Sequence, residues 1–129
     1  MQKPRTPHRL LLVDDEETIL FAMGDYLSHL GFRVDMASER EEAEALLANV
    51  SYAAVVADLR LFGSGSHDGL HVIAAARERS LKTRIILLSA FAHADIEADA
   101  RRQGADRVLR KPKPLSEVAT CLLELLEKN

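Results

Sequence analysis

The sequence has little cysteine, no long apolar run and no strong charge of one sign, and each shortage removes a class of function. A single cysteine, Cys121, excludes an internal disulfide framework and fits a reducing compartment, so the protein is expected in the cytoplasm. It falls among Val118, Leu122 and Leu125 on an expected helix, where a thiol acts as a small buried hydrophobe rather than a reactive group. No stretch approaches the ~20 consecutive apolar residues of a membrane helix, so no membrane association is expected. A net charge of -3 provides no basic field for nucleic acid, and no nucleic-acid partner is expected. Arg107, Arg110, Lys111 and Lys113 do form a local basic cluster, but without interleaved aromatics, which suits a solvated or partner-facing patch. A glycine-rich phosphate loop is missing after the first apolar run, which argues against nucleotide or flavin binding. Residues 1–8 carry charge without an apolar segment behind them, so they read as a flexible leader rather than a secretory signal.

What remains is ordinary for one globular domain of 129 residues: 47% hydrophobic and 29% charged, with no linker, repeat or low-complexity block after the leader. The hydrophobic period changes repeatedly along it. Leu10–Val13 is a short apolar run that stops abruptly at acids, as a strand buried on both faces would. From Thr18 the spacing turns helical through Ile19, Leu20, Met23, Leu27 and Leu30, with Gly31 placed to end the helix. A weaker strand follows over Phe32–Ala37, and Ala43, Leu46, Leu47 and Val50 mark a second helix. Ala53–Ala57 is a third strand running into Asp58. The segment from Leu59 to Gly69 reads as a Gly/Ser-rich loop, with a helix beginning at Leu70. Strands over Arg84–Ser89 and Arg107–Arg110, and helices over Ala94–Gln103 and Leu115–Leu126, complete the alternation.

Strict strand–helix repetition predicts an α/β fold: a doubly wound, five-stranded parallel sheet covered by five helices. In such sheets functional groups gather at the carboxyl ends of the strands. The first strand delivers Asp14, Asp15 and Glu16 there, the third Asp58, the fourth Ser89 and the fifth Lys111. Clustered carboxylates raise one another's pKa unless a cation lies among them, and oxygen ligands with open positions suit Mg²⁺. A carboxylate so placed can attack phosphorus and form an acyl phosphate. A metal ion on one side and an ammonium on the other would neutralise the transferring group, and a hydroxyl would donate to it. Asp58, Lys111 and Ser89 supply those three chemistries. Any of these residues alone would be unremarkable as a helix cap or surface charge; their coincidence at successive strand ends points to phosphoryl chemistry. His67 and His71 have one-face helical spacing but straddle an expected loop–helix junction, so no transition-metal site is expected there.

At these residues the sequence resembles the receiver domain of bacterial response regulators, over roughly residues 8–128. Leu11-Leu-Val-Asp-Asp-Glu-Glu17 resembles the family's first strand and acidic pair, and Val55-Val-Ala-Asp-Leu59 its phosphoacceptor strand. Leu87-Leu-Ser-Ala90 resembles the strand bearing the switch hydroxyl, and Gly104-Ala-Asp-Arg-Val-Leu-Arg-Lys-Pro112 the fifth strand with its Lys-Pro end. The resemblance implies a flavodoxin-like strand order 2-1-3-4-5 and a single receiver domain over 9–129. It implies Asp58 as phosphoacceptor, taking the phosphoryl group from the phosphohistidine of a sensor histidine kinase or phosphotransfer protein. It implies Mg²⁺ held by Asp15, Asp58 and the backbone carbonyl of Arg60, with Asp14 acting through water. Ser89, Ala90 and Lys111 would contact the phosphoryl group, and the bond before Pro112 would be cis. Helix four, strand five and helix five would form the surface read by a downstream effector, and homodimerisation on phosphorylation is compatible with the family. Three departures stand out: Val108 replaces the usual aromatic of the fifth strand, Leu61-Phe62 replaces Met-Pro, and the loop before Asp68-Gly69 is longer than usual. Helix four has only Ile96 and alanines to bury, which suits an element that moves at low cost. The rival from another class is a Mg²⁺-dependent phosphatase using Asp58 as nucleophile; such enzymes place a general acid two residues on, where Arg60 stands here.

Overall fold

A computed structural model describes residues 8–59, 68–90 and 94–127. Five strands alternate with five helices: β1 (Arg9–Val13), α1 (Glu17–His29), β2 (Arg33–Ala37), α2 (Arg40–Asn49), β3 (Ala54–Asp58), α3 (Asp68–Arg79), β4 (Arg84–Ser89), α4 (Ala94–Gln103), β5 (Arg107–Arg110) and α5 (Leu115–Glu127). The strands form one parallel sheet in the order β2-β1-β3-β4-β5. The expected architecture and strand order are both present.

Alternation along the strands divides the core in two. Leu10 and Leu12 of β1, with Val56, Ile86 and Leu88, pack against Leu20, Met23 and Leu27 of α1 and Val118, Leu122 and Leu125 of α5. Leu11 and Val13, with Val55, Ala57, Ile85 and Leu87, face α2, α3 and α4. Neighbouring residues of a strand thus serve opposite layers, which is why β1, β3 and β4 read as unbroken apolar runs. Cys121 is buried in the α1/α5 layer, and burial raises its thiol pKa, so it is a packing residue.

The spacing marks α2 without fixing its start, and places the start of α3 two residues late. Helix α2 opens at Arg40 with Glu41 and Glu42 in its first turn, where acids favour the positive end of the helix dipole. Helix α3 opens at Asp68 rather than Leu70. Gly69 is therefore a first-turn helical residue, and its importance is steric. A Cβ at this position would lie 2.7 Å from Leu59 Cα and closer still to the Asp58 carbonyl oxygen. The N-terminus of α3 consequently lies directly on the end of β3, anchored by the Gly69 N–H donating to the Leu59 carbonyl at 3.0 Å.

At the β2 edge, a polar group fixes the outer strand. Asp35 accepts hydrogen bonds from Tyr52 Oη at 2.7 Å and Arg9 Nε at 3.1 Å. Burial pushes the Asp35 carboxyl up, but these two donors and the arginine charges outweigh it and hold the pKa below its usual range. The α4 helix fits its sparse composition: Ala100 is its one buried residue, with Ile96 partly buried against the core. Val108, in the place of the family's aromatic, is also partly buried on that side of the sheet.

Candidate functional site

The carboxyl ends of β1, β3, β4 and β5 lie side by side along one rim of the sheet, and pairing sets who meets whom. Val13 pairs with Ala57 and Asp58 with Leu88, so Asp14 and Ser89 each fall one position past those pairs. Ser89 pairs in turn with Arg110, and the Lys111 N–H donates to the Ser89 carbonyl at 2.8 Å. Asp14 is thus level with Asp58, Ser89 lies one residue's rise of about 3.3 Å further along and Lys111 one further still, on successive strands about 4.8 Å apart.

Carboxylate oxygens of Asp14, Asp15 and Asp58 lie within 4.8 Å of one another. Asp14 is fully buried. Its Oδ1 accepts the Glu16 N–H at 2.9 Å, a local turn that fixes the side chain, and its Oδ2 accepts from Lys111 Nζ at 3.1 Å. Lys111 Nζ also lies 3.2 Å from Asp58 Oδ1. One ammonium, itself only 19% exposed, therefore bridges two carboxylates from different strands. On its other side Lys111 borders an apolar cavity of about 490 Å³ lined by Ile19, Met23, Leu88, Pro112 and Leu115.

The electrostatics of this group are unbalanced. Burial pushes the Asp58 carboxyl up to about 6; Lys111 pulls it down, while the charges of Asp14 and Asp15 push it further up. Burial draws the Lys111 ammonium down, but Asp58 and Asp14 outweigh this and hold its pKa above the usual range. Three carboxylates facing one ammonium leave net negative charge in a partly desolvated pocket. An oxygen-only, partly open carboxylate set of this kind fits a hard divalent cation, with Asp15 at its more accessible side.

Each candidate from the sequence can now be placed. Asp14, Asp15, Asp58 and Lys111 are brought together. Ser89 is buried at the adjoining strand end, and Ala90 follows it, exposed and bordering the same apolar cavity as Lys111. The Lys111–Pro112 peptide bond is cis. Arg60, His67 and His93 lie outside the described residues, as do Leu61 and Phe62. His71 is an exposed residue in the first turn of α3. Strand ends alone do not single out Gly69, whose close approach to Asp58 depends on how α3 enters; a glycine directly after the Gly/Ser-rich segment that follows Asp58 is the available signal.

Comparison with known proteins shows the family of the chain. The response regulator receiver domain family matches residues 10–122. The chain belongs to that family. Receiver domains are phosphorylation-linked modules of two-component signalling rather than conventional enzymes. The transcriptional regulatory protein PmrA of Pectobacterium parmentieri is 30% identical over 121 residues, covering 94% of this chain and 53% of that protein. The alginate biosynthesis transcriptional regulatory protein AlgB of Pseudomonas aeruginosa is 38% identical over 104 residues, covering 81% of this chain and 22% of that protein. The receiver chain thus spans about half or less of the length of these curated relatives. Among solved structures, a CheY-like receiver domain protein from Methanospirillum hungatei shares the fold at a TM-score of 0.89 and 22% identity, covering 95% of this chain and 96% of that one. A Burkholderia pseudomallei response regulator, solved with a phosphorylated aspartic acid, calcium ion and citrate, matches at a TM-score of 0.82 and 26% identity, covering 94% of this chain and 69% of that one. No helix among the described residues is long and apolar enough to cross a membrane.

Proposed function

We propose that this receiver accepts a phosphoryl group on Asp58 from the phosphohistidine of a sensor histidine kinase or phosphotransfer protein, in a Mg²⁺-dependent reaction. The observation that carries this reading is the double ion pair of Lys111 Nζ, with Asp14 at 3.1 Å and Asp58 at 3.2 Å, beside a three-carboxylate group. The phosphorylated aspartic acid and calcium ion of the Burkholderia pseudomallei relative are the chemistry this arrangement fits.

Asp14, Asp15 and Asp58 would hold the metal, joined by the Arg60 carbonyl and with Asp14 acting through water. When bound, the ion would offset the carboxylate charge and help neutralise the phosphoryl oxygens. Asp58 attacks phosphorus with a carboxylate oxygen; the new O–P bond forms as the donor's N–P bond breaks, the imidazole nitrogen leaving with the bonding pair. Lys111 shifts its ammonium from the Asp58 carboxylate to the phosphoryl oxygens, retaining Asp14 as its fixed partner. Ser89 donates its hydroxyl to the same group, with Ala90 leaving space beside it. Few apolar contacts hold α4, so movement at the β4 end is carried to the face of α4, β5 and α5, where an effector protein or domain, or a second copy of the chain, would bind.

Acetyl phosphate or phosphoramidate with Mg²⁺ is expected to add one phosphoryl group per chain, measured by intact mass. Chelation with EDTA should abolish the addition. Equal labelling with and without a divalent ion would refute the metal-dependent reading.

A further inference from the structure

Strand β5 has the weakest hydrophobic reason to stay in register. It is the shortest strand, it lies at the sheet edge, and none of its four residues is buried, whereas all five of β3 are. Val108 and Leu109 are each only partly buried, against opposite layers. Register is loosely specified where neither face of a strand is buried. Yet Lys111, directly after β5, depends on that register: a slip of one residue would displace it by about 3.3 Å and reverse its side chain.

A polar bolt lies at the opposite end of the strand. Asp106, just before β5, donates its N–H to the Ile85 carbonyl at 2.8 Å and accepts the Ile85 N–H at Oδ2, also at 2.8 Å. The same Oδ2 accepts from Arg77 Nη2 at 3.2 Å, and the Arg84 guanidinium lies 4.0 Å from Oδ1. Arg77, on α3, also donates from Nη2 to the Gly104 carbonyl at 2.8 Å, and from Nη1 to the carbonyls of Leu81 at 2.8 Å and Ser80 at 3.2 Å. One guanidinium therefore ties the end of α3 to the α4–β5 turn and to the residue that starts β5. Gly104 makes room for it. Its φ of +120° suits glycine, and a Cβ there would lie 2.8 Å from both Arg77 Cγ and Nε.

We propose that Arg77 is a positioning residue for the phosphoryl site: through Asp106 it sets the register of β5 and so the place of the Lys111 ammonium beside Asp58. The inference rests on the phosphoacceptor reading above. It separates from simple stabilisation because the carboxylates and the ammonium come from different strands. The three carboxylates lie at the ends of β1 and β3 and the ammonium just after β5, and the hydrogen bonds of Arg77 go to Ser80, Leu81, Gly104 and Asp106.

The test compares wild type, Arg77→Ala, Arg77→Lys and Asp106→Asn in two measurements: Mg²⁺ affinity by calorimetry, and the rate of Asp58 labelling by acetyl phosphate at saturating Mg²⁺. Arg77→Ala is expected to slow labelling by about tenfold to a hundredfold, as small misplacements of a reacting group do. Its Mg²⁺ affinity should be kept or raised, because moving the Lys111 ammonium off Asp14 and Asp58 removes a competing positive charge. Arg77→Lys should recover part of the rate. Should Arg77→Ala not fold, Asp106→Asn, which keeps an acceptor for the Ile85 N–H, carries the same comparison. An unchanged labelling rate, or rate and Mg²⁺ affinity falling together with no recovery by lysine, would overturn the inference. A wild type that takes no label at Asp58 would instead bring down the phosphoacceptor reading, and this inference with it.

Discussion

Asp58→Asn protein, given acetyl phosphate and Mg²⁺, is expected to lose labelling at position 58 by about a thousandfold or more, the scale seen when a nucleophile is removed. The asparagine amide preserves shape and a hydrogen-bonding oxygen, but offers phosphorus no anionic oxygen. Lys111 keeps its other partner, Asp14 at 3.1 Å, so the site should remain assembled around the substitution. Loss of labelling with retained far-ultraviolet circular dichroism would therefore report on chemistry rather than on unfolding. Phosphate-release assays on the same pair of proteins, after removal of the donor, should show an acid-stable but base-labile group in wild type only.

The same substitution should make the metal-free protein more stable at neutral pH. Asp58 titrates at about 6 in the folded chain, above the ordinary 3.8, so the folded state binds this proton more tightly than the unfolded state does. The stabilisation from that proton is fully present below about 3.8 and is lost as pH rises through about 6; above it, the ionised carboxylate is a net cost to folding. A shift of about two units corresponds to roughly 3 kcal/mol, and screening by solvent at the pocket mouth reduces this to about 1–2 kcal/mol. Denaturant melts at pH 7.5 should accordingly favour Asp58→Asn, with the advantage shrinking toward pH 4. Saturating Mg²⁺ should reverse the order: a ligand at a hundred times its Kd contributes about 2.7 kcal/mol to the state that binds it. A wild type more stable than the variant in EDTA at pH 7.5 would contradict the charge imbalance described for the pocket.

Both expectations come from residues that could be read from the chain. Leu10–Val13, Ala53–Ala57 and Ile85–Leu88 are apolar runs too short for helices, each followed by a polar residue; a parallel sheet with both faces covered needs such runs, and its active rim needs such endings. That logic places Asp14, Asp15, Asp58, Ser89 and Lys111 at adjoining strand ends from the sequence alone. It stopped at contacts between residues distant in sequence. Arg77 and Asp106 are 29 positions apart and look like surface charges in the chain, yet they share an ion pair in which both side chains are at most one quarter exposed. Tyr52 and Asp35 behave alike at the other edge, 17 positions apart. Asp68 and Gly69 read as loop because turn-forming residues dominate the segment before them, whereas the acid supports a helix start and the glycine allows α3 to rest on β3. Periodicity reports which face a residue presents; it carries no information about which distant polar group that face will meet.

The replacement of the family's fifth-strand aromatic by Val108 bears on how the signal leaves the site. Val108 is partly buried on the α4 side, and it has no ring to exchange between exposed and buried positions. Coupling from Ser89 to the outer face would then run through the β4–α4 connection and α4 itself, whose burial is confined to Ala100 and part of Ile96. A helix held so lightly costs little to displace.

The central claim is that a carboxylate of Asp58, held among Asp14, Asp15 and Lys111, forms the bond to phosphorus. Borohydride reduction of the phosphorylated protein tests it directly, since an aspartyl phosphate is converted to homoserine and can be mapped by peptide mass spectrometry. Homoserine is expected at position 58 and nowhere else. Phosphate found instead on a histidine or on Ser89, with Asp58 recovered as aspartate, would contradict it.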